Sequence, residues 1–187
     1  EILIELSKSD NTLELSFPED VVSFKENLIT KAVFNFFEYF KISTHVKISV
    51  KKRIPTGAGL GGGSSNAAST LIGLSKLFSI DNFSALEKIA LKIGSDVPFF
   101  LYSRTSLVTG RGEVVEPCNI DKKIKYLLIF PKIHSDTRTL YQLWDSKDIL
   151  LDSALQHRVA SHLKNEILIN KEKFLLQNDF TPLLISK

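Results

Sequence analysis

The sequence predicts an α+β fold. Three observations predict it: apolar residues alternating with period two in short segments, apolar residues at helical spacing in longer ones, and no strict strand–helix alternation of the kind a doubly wound sheet requires. The 187 residues are 43% hydrophobic and 24% charged, ordinary globular usage that excludes disorder as the dominant state. Lys and Arg number 24 against 21 Asp and Glu, a net charge of +3. That surplus is too small to argue for a nucleic-acid partner or a membrane surface. No run of about 18 apolar residues exists to cross a bilayer. The single cysteine, Cys118, cannot form an internal disulfide. A reducing compartment is therefore expected, the cytoplasm, with a plastid left open.

Ile2, Ile4 and Leu6 read as one strand and Leu13 to Phe17 as a second, with Asp10-Asn11 as turn chemistry between them. Ser23 and Glu26 have capping-box spacing. Behind them Leu28, Ile29, Ala32, Val33, Phe36, Phe37 and Phe40 predict a long helix ending near Lys41. Val46, Ile48 and Val50 predict a strand running into Lys51-Lys52-Arg53, a basic triplet that reads either as a solvated strand end or as a face for an anion. A second helix follows with Ala67, Ala68, Leu71, Ile72, Leu74, Leu77 and Phe78 on its apolar side. Ser84 and Glu87 again have capping-box spacing, before a short helix that Gly94 is placed to end. Pro117 to Lys125 reads as a seam between two domains, residues 1–118 and 121–187. Beyond it Tyr126 to Phe130 predicts a short buried strand, Leu151, Leu155, Val159 and Leu163 a helical stripe, and Asn178-Asp179 a cap.

Between the predicted strand ending near Val50 and the second helix lies Pro55-Thr56-Gly57-Ala58-Gly59-Leu60-Gly61-Gly62-Gly63-Ser64-Ser65. Glycine costs backbone entropy, so a loop this dense adds nothing to stability and makes sense where a backbone approaches a ligand closely. A strand that feeds it and a helix that it opens gather free N–H groups and the positive helix end around one point, an anion site. The hydroxyls of Ser64 and Ser65 add groups for phosphate oxygens or Mg²⁺. A Walker A loop needs a lysine before its Ser/Thr, and none lies between Gly57 and Ser65. Gly57 to Gly62 matches G-x-G-x-x-G, but Asp81, at the distance of a ribose-binding acid, follows a helix end and not a buried strand.

The Pro55 to Ala68 segment resembles the second motif of the GHMP kinases. Ile93-Gly94-Ser95-Asp96-Val97-Pro98-Phe99-Phe100 and Gly110-Arg111-Gly112-Glu113 resemble the same family in the same order. The expanded triple-glycine loop resembles the branch acting on a cytidylated methylerythritol in non-mevalonate isoprenoid synthesis. The resemblance implies a ribosomal protein S5 domain 2-like N-terminal domain that binds ATP, and a ferredoxin-like C-terminal domain. It implies transfer of the γ-phosphoryl of ATP to a hydroxyl of a small molecule, with Mg²⁺. Pro55, Thr56, Gly57, Ala58, Gly59, Leu60, Gly61, Gly62, Gly63, Ser64 and Ser65 would then hold ATP, with Ser65 first and Ser64 second for the metal. Asp96 would be the catalytic carboxylate, although alone it reads as a cap or turn residue before Pro98. Thr137 and Tyr141 would face the substrate, the ring against cytosine; a packed helix residue is the other reading of Tyr141. Arg111 and Glu113 read as braces of their loop.

The family's first motif, upstream of Glu1, and its third, beyond Lys187, are not in this sequence. With no methionine and a start in mid-strand, the chain is expected to be a piece of a longer protein. Two rivals are a kinase of the same family acting on homoserine or mevalonate, and an ATP-binding relative without activity. The triple-glycine loop and Gly-Arg-Gly-Glu argue against the first, and Asp96 against the second. His45, His134, His157 and His162 show no ligand spacing, and a lone cysteine builds no zinc site.

Overall fold

The structure is a computed structural model that describes residues 1–7, 13–16, 23–55, 59–119, 125, 127–128 and 137–146. The chain divides into two compact units, Glu1–Pro117 and Cys118–Lys187. In the first unit β1 (Ile2–Leu6), β2 (Leu13–Ser16) and β3 (Val46–Val50) form one sheet in the order β1-β3-β2. The two N-terminal strands do not pair with each other. β3 lies between them, antiparallel to β1 with Ile4 opposite Ile48, and parallel to β2 with Leu15 opposite Ile48. A parallel pair needs a crossover, and α1 (Leu28–Phe40) supplies it. The helices α2 (Gly62–Leu77), α3 (Phe83–Ile93) and α4 (Val97–Tyr102) follow, then a hairpin of β4 (Ser106–Thr109) and β5 (Val114–Pro117). In the second unit α5 spans Thr137–Asp145.

The core forms where the apolar faces meet. Val46, Ile48 and Val50 of β3 are buried in one cluster with Ile29, Val33, Phe36 and Phe37 of α1, Leu71 and Leu74 of α2, and Ile89 of α3. Phe36 and Phe40 approach to 4.8 Å between ring centroids, and Phe37 meets Phe78 edge-on at 5.9 Å. These rings tie α1 to the end of α2, so the predicted phenylalanine stripe is core. Leu77, expected on the apolar side of α2, is 37% exposed.

Both predicted capping boxes are displaced. The cap of α1 is Asn27, whose side chain accepts from the Ile29 N–H at 2.9 Å. The Ser23 hydroxyl instead donates to the Glu26 carboxylate at 3.0 Å in the preceding turn. α3 is capped by Asn82, which accepts from the Ala85 N–H at 3.0 Å. Asparagine outcompetes serine here because it sits one position before the first helical residue, where its oxygen meets free N–H groups. Gly94 ends α3 in extended backbone (φ 176°), so its lack of a side chain is not what stops the helix. Leu127 and Leu128, predicted within a buried strand, are exposed and outside regular structure; an apolar run alone does not distinguish a strand from other states. The rest of that strand, the Asp10-Asn11 turn, the Leu151 to Leu163 stripe and the Asn178-Asp179 cap lie outside the described residues.

Glu87, released from capping, accepts a hydrogen bond from the Tyr102 hydroxyl, and Phe83 packs edge-on to the Tyr102 ring at 5.1 Å. Together they fasten α4 to α3. The hydrogen bond to Glu87, with partial burial and the nearby negative charge, pushes the phenol up from 10.0 to about 12. A proton held more tightly in the folded state stabilises fully below the unfolded value and is lost as pH rises through the folded one. Tyr102→Phe should therefore cost about 1 kcal/mol in urea unfolding near pH 8. The gap from wild type should close between about pH 10 and 12; a pH-independent gap would remove the hydrogen bond from the account.

Candidate active site

The glycine loop enters α2 through Gly61, its N-cap residue, with φ 63°. A side chain here is excluded twice. The left-handed backbone disfavours any residue with a Cβ, and a Cβ would lie 2.5 Å from Cζ of Phe100. Gly61 has no side chain to cap the helix. The first intrahelical bond is from the Ser65 N–H to the Gly61 carbonyl at 2.8 Å. The N–H groups of Gly62, Gly63 and Ser64 therefore have no acceptor inside the helix. Gly59, also at positive φ, has open space around its missing Cβ. Pro55 and Leu60 are exposed, and Thr56, Gly57 and Ala58 lie outside the described residues.

Ser65 stands in the first turn of α2, and its hydroxyl donates to the Gly62 carbonyl at 3.1 Å. With the proton committed to the helix, its lone pairs suit a cation better than the hydroxyl suits a phosphate oxygen. Ser64 is half-buried beside it. A cleft of ≈ 630 Å³ runs along α2 beside β1, lined by Ser65, Asn66, Ser69, Lys76 and Ile54 among others. Of the basic triplet, Lys51 and Arg53 are exposed and Lys52 is half-buried. Cε of Lys52 lies 3.9 Å from where a Cβ of Gly62 would be, so this lysine reaches the helix start. Among the described residues no three His, Cys, Asp or Glu side chains cluster as a metal site.

Asp96 occupies the N-cap position of α4, but its side chain makes no capping hydrogen bond and the residue is exposed. The turn reading accounts for its backbone and leaves the carboxylate unused. Phe100 lies four residues on, hence on the same face of the helix. Since the Phe100 ring abuts Gly61, the face of α4 that begins with Asp96 is the one turned to the start of α2. The structure thus gathers Gly61, Gly62, Ser65 and Lys52 at the start of α2, and sets Asp96 one helical turn before the Phe100 ring that abuts Gly61. Thr137 and Tyr141 belong to the second unit, one turn apart on α5, with Tyr141 57% exposed. Sequence reasoning missed Phe100; its spacing from Asp96 was the signal available.

Residues 27–104 match the GHMP kinases N terminal domain. The chain is 33% identical over 199 residues to a 4-diphosphocytidyl-2-C-methyl-D-erythritol kinase of Thermoanaerobacter pseudethanolicus, covering 99% of this chain and 68% of that protein. The chain belongs to the GHMP kinase family, and its α+β fold is the fold of that family. A 4-diphosphocytidyl-2-C-methyl-D-erythritol kinase of Thermodesulfovibrio yellowstonii is 41% identical over 142 residues, 75% of this chain and 49% of its own length. The chain thus spans about half the length of that relative. A crystal structure of 4-(cytidine 5'-diphospho)-2C-methyl-D-erythritol kinase superposes with TM-score 0.63 at 29% identity, over 91% of this chain and 59% of that one. Homoserine kinase from Cytophaga hutchinsonii superposes with TM-score 0.68 over 90% and 58%, at 16% identity, a likeness of fold alone. No helix among the described residues is long and apolar enough to cross a membrane.

Proposed function

We propose that this protein is an ATP-dependent phosphotransferase with an alcohol acceptor, and that the alcohol is 4-diphosphocytidyl-2-C-methyl-D-erythritol of the non-mevalonate isoprenoid pathway. The observation that carries the reading is the uncommitted Asp96 carboxylate on the face of α4 that meets the glycine loop. The names of the relatives support the substrate. Phosphoryl transfer asks a protein chiefly for positioning and for stabilisation of charge on the phosphoryl oxygens. The free N–H groups at the start of α2 hydrogen-bond the phosphates, the helix dipole favours their charge, and Lys52 adds a cation at the same end. The Lys51 to Pro55 backbone runs beside the nucleotide base. Asp96 orients the substrate hydroxyl and accepts its proton as that oxygen bonds to the γ-phosphorus and the bond from this phosphorus to the β–γ bridging oxygen breaks, releasing ADP.

The hydroxyl of Ser65 fits a hard oxygen-seeking cation such as Mg²⁺, which binds through few protein oxygens together with substrate phosphates. When bound, Mg²⁺ supplies neutralisation of phosphate charge. Residues Cys118–Lys187 carry substrate recognition in this reading, through Thr137 and Tyr141.

Tyr141 tests the cytidyl half of the proposal. An exposed ring suits a flat base, and Tyr141→Ala should cost about 1–3 kcal/mol of affinity for the cytidyl substrate, the range for one base–aromatic stack. Tyr141→Phe should be mild, and ATP affinity should not change in either variant. Competition binding with free CMP reads this directly. Equal losses for ATP and substrate would make Tyr141 a packing residue.

A further inference from the structure

We infer that the turn of the β4–β5 hairpin is a positioning element for Asp96, acting through Gly112; the inference rests on the catalytic reading of Asp96 and deepens it. The Asp96 side chain makes no capping hydrogen bond, so the direction of its carboxylate is set by the backbone that carries it. That backbone is fixed from one side by the Val97 N–H donating to the Gly94 carbonyl at 3.1 Å. From the other side it is met by Gly112. A Cβ on Gly112 would lie 2.0 Å from the Ser95 carbonyl oxygen, 2.8 Å from its carbon and 3.2 Å from its Cα. The Ser95 carbonyl carbon is bonded to the Asp96 nitrogen. The hairpin therefore touches the peptide unit that aims the carboxylate, and it does so backbone to backbone, with no flexible side chain between.

The turn is built to hold that contact. Gly112 has φ 108°, and its N–H donates to the Thr109 carbonyl at 3.3 Å. The Glu113 carboxylate folds back over Gly110 and accepts from the Arg111 N–H, clasping the turn from outside. Any side chain at position 112 must push the Ser95–Asp96 peptide and the hairpin apart, by about 1 Å before the contact becomes tolerable. A displacement of that size at a reacting group costs about 10²-fold in rate.

The test is steady-state kinetics of the complete protein with ATP and the cytidyl alcohol, on wild type, Gly112→Ala, Gly110→Ala, Asp96→Asn and Gly112→Ala/Asp96→Asn. Gly110 has a comparable left-handed backbone, but its Cβ would meet only the end of the Glu113 side chain, so it reproduces the strain without the push on Ser95. Gly112→Ala should lower kcat by about 10- to 100-fold with both KM values within about twofold. Gly110→Ala displaces the Glu113 clasp but adds no push on Ser95, so it should lower kcat only severalfold, as Glu113→Ala does, at a thermal midpoint similar to that of Gly112→Ala. In the Asp96→Asn background, Gly112→Ala should cost less than about twofold more, because both act on one carboxylate. Equal kcat losses at positions 110 and 112, or losses that multiply in the double variant, would overturn the inference. Normal kcat in Asp96→Asn would instead sink the catalytic reading of Asp96, whereas a large loss there with normal Gly112→Ala would sink only the positioning role. If Gly112→Ala does not fold, Glu113→Ala carries the test, since it unclasps the turn without adding a contact. A severalfold fall in kcat with KM unchanged is expected, and wild-type kcat would overturn the role.

Discussion

Asp96→Asn should lower kcat by about 10²-fold or more and leave the KM values for ATP and alcohol little changed. Asparagine keeps the size of the side chain and much of its hydrogen bonding but loses the charge and the basicity. The structure sharpens this expectation. Asp96 makes no capping hydrogen bond and is exposed, so the amide substitution removes no stabilising bond from α4. Its thermal midpoint should stay within a few degrees of wild type, as for surface substitutions away from special contacts. A large kinetic loss without a stability loss separates a reacting carboxylate from a turn residue. Near-normal kcat would demote Asp96 to the turn.

Gly62→Val should weaken ATP binding by about tenfold or more, some 1.4 kcal/mol. A Cβ at Gly62 would lie 3.1 Å from Cγ2 of Ile54 and 3.9 Å from Cε of Lys52. The two further methyl groups of valine would therefore stand between the first turn of α2 and the Ile54 and Lys52 side chains. In the proposed reading a nucleotide shares that space with the free N–H groups. Position 62 is already helical, so the fold should survive with a small propensity cost. Gly61→Val would be a poorer probe, because φ 63° and the Phe100 ring would strain the fold itself. Calorimetric titration with ATP checks the prediction. Unchanged affinity in a folded Gly62→Val variant would remove the phosphate-loop assignment.

Much of this was legible in the sequence because its signals were periodic or compositional. The helical spacing of Ile29, Val33, Phe36 and Phe37 marked α1 and its buried face, and the alternation at Val46, Ile48 and Val50 marked β3. The glycines from Gly57 to Gly63 and the Gly-Ser-Asp-Val-Pro-Phe-Phe run supplied the candidate phosphate loop and the candidate carboxylate. What stayed hidden depends on neighbours distant along the chain. Spacing alone pointed to Ser23 and Ser84 as caps, but Asn27 and Asn82 hold the free N–H groups. Glu87 was spent on Tyr102, fifteen residues away. No local pattern reveals that β3 enters between β1 and β2, that Phe100 lies on Gly61, or that Gly112 lies on Ser95.

The most direct measurement is identification of the product of a single turnover. The complete protein is mixed with ATP carrying ¹⁸O in its γ-phosphoryl group and an equimolar panel of 4-diphosphocytidyl-2-C-methyl-D-erythritol, homoserine and mevalonate, and the isotope-shifted signal is followed by ³¹P NMR. The account predicts a new phosphomonoester on the cytidyl alcohol alone, one ADP for each ester formed, and loss of the signal in Asp96→Asn. Label on homoserine or mevalonate, or ATP bound with no ester formed, would contradict it.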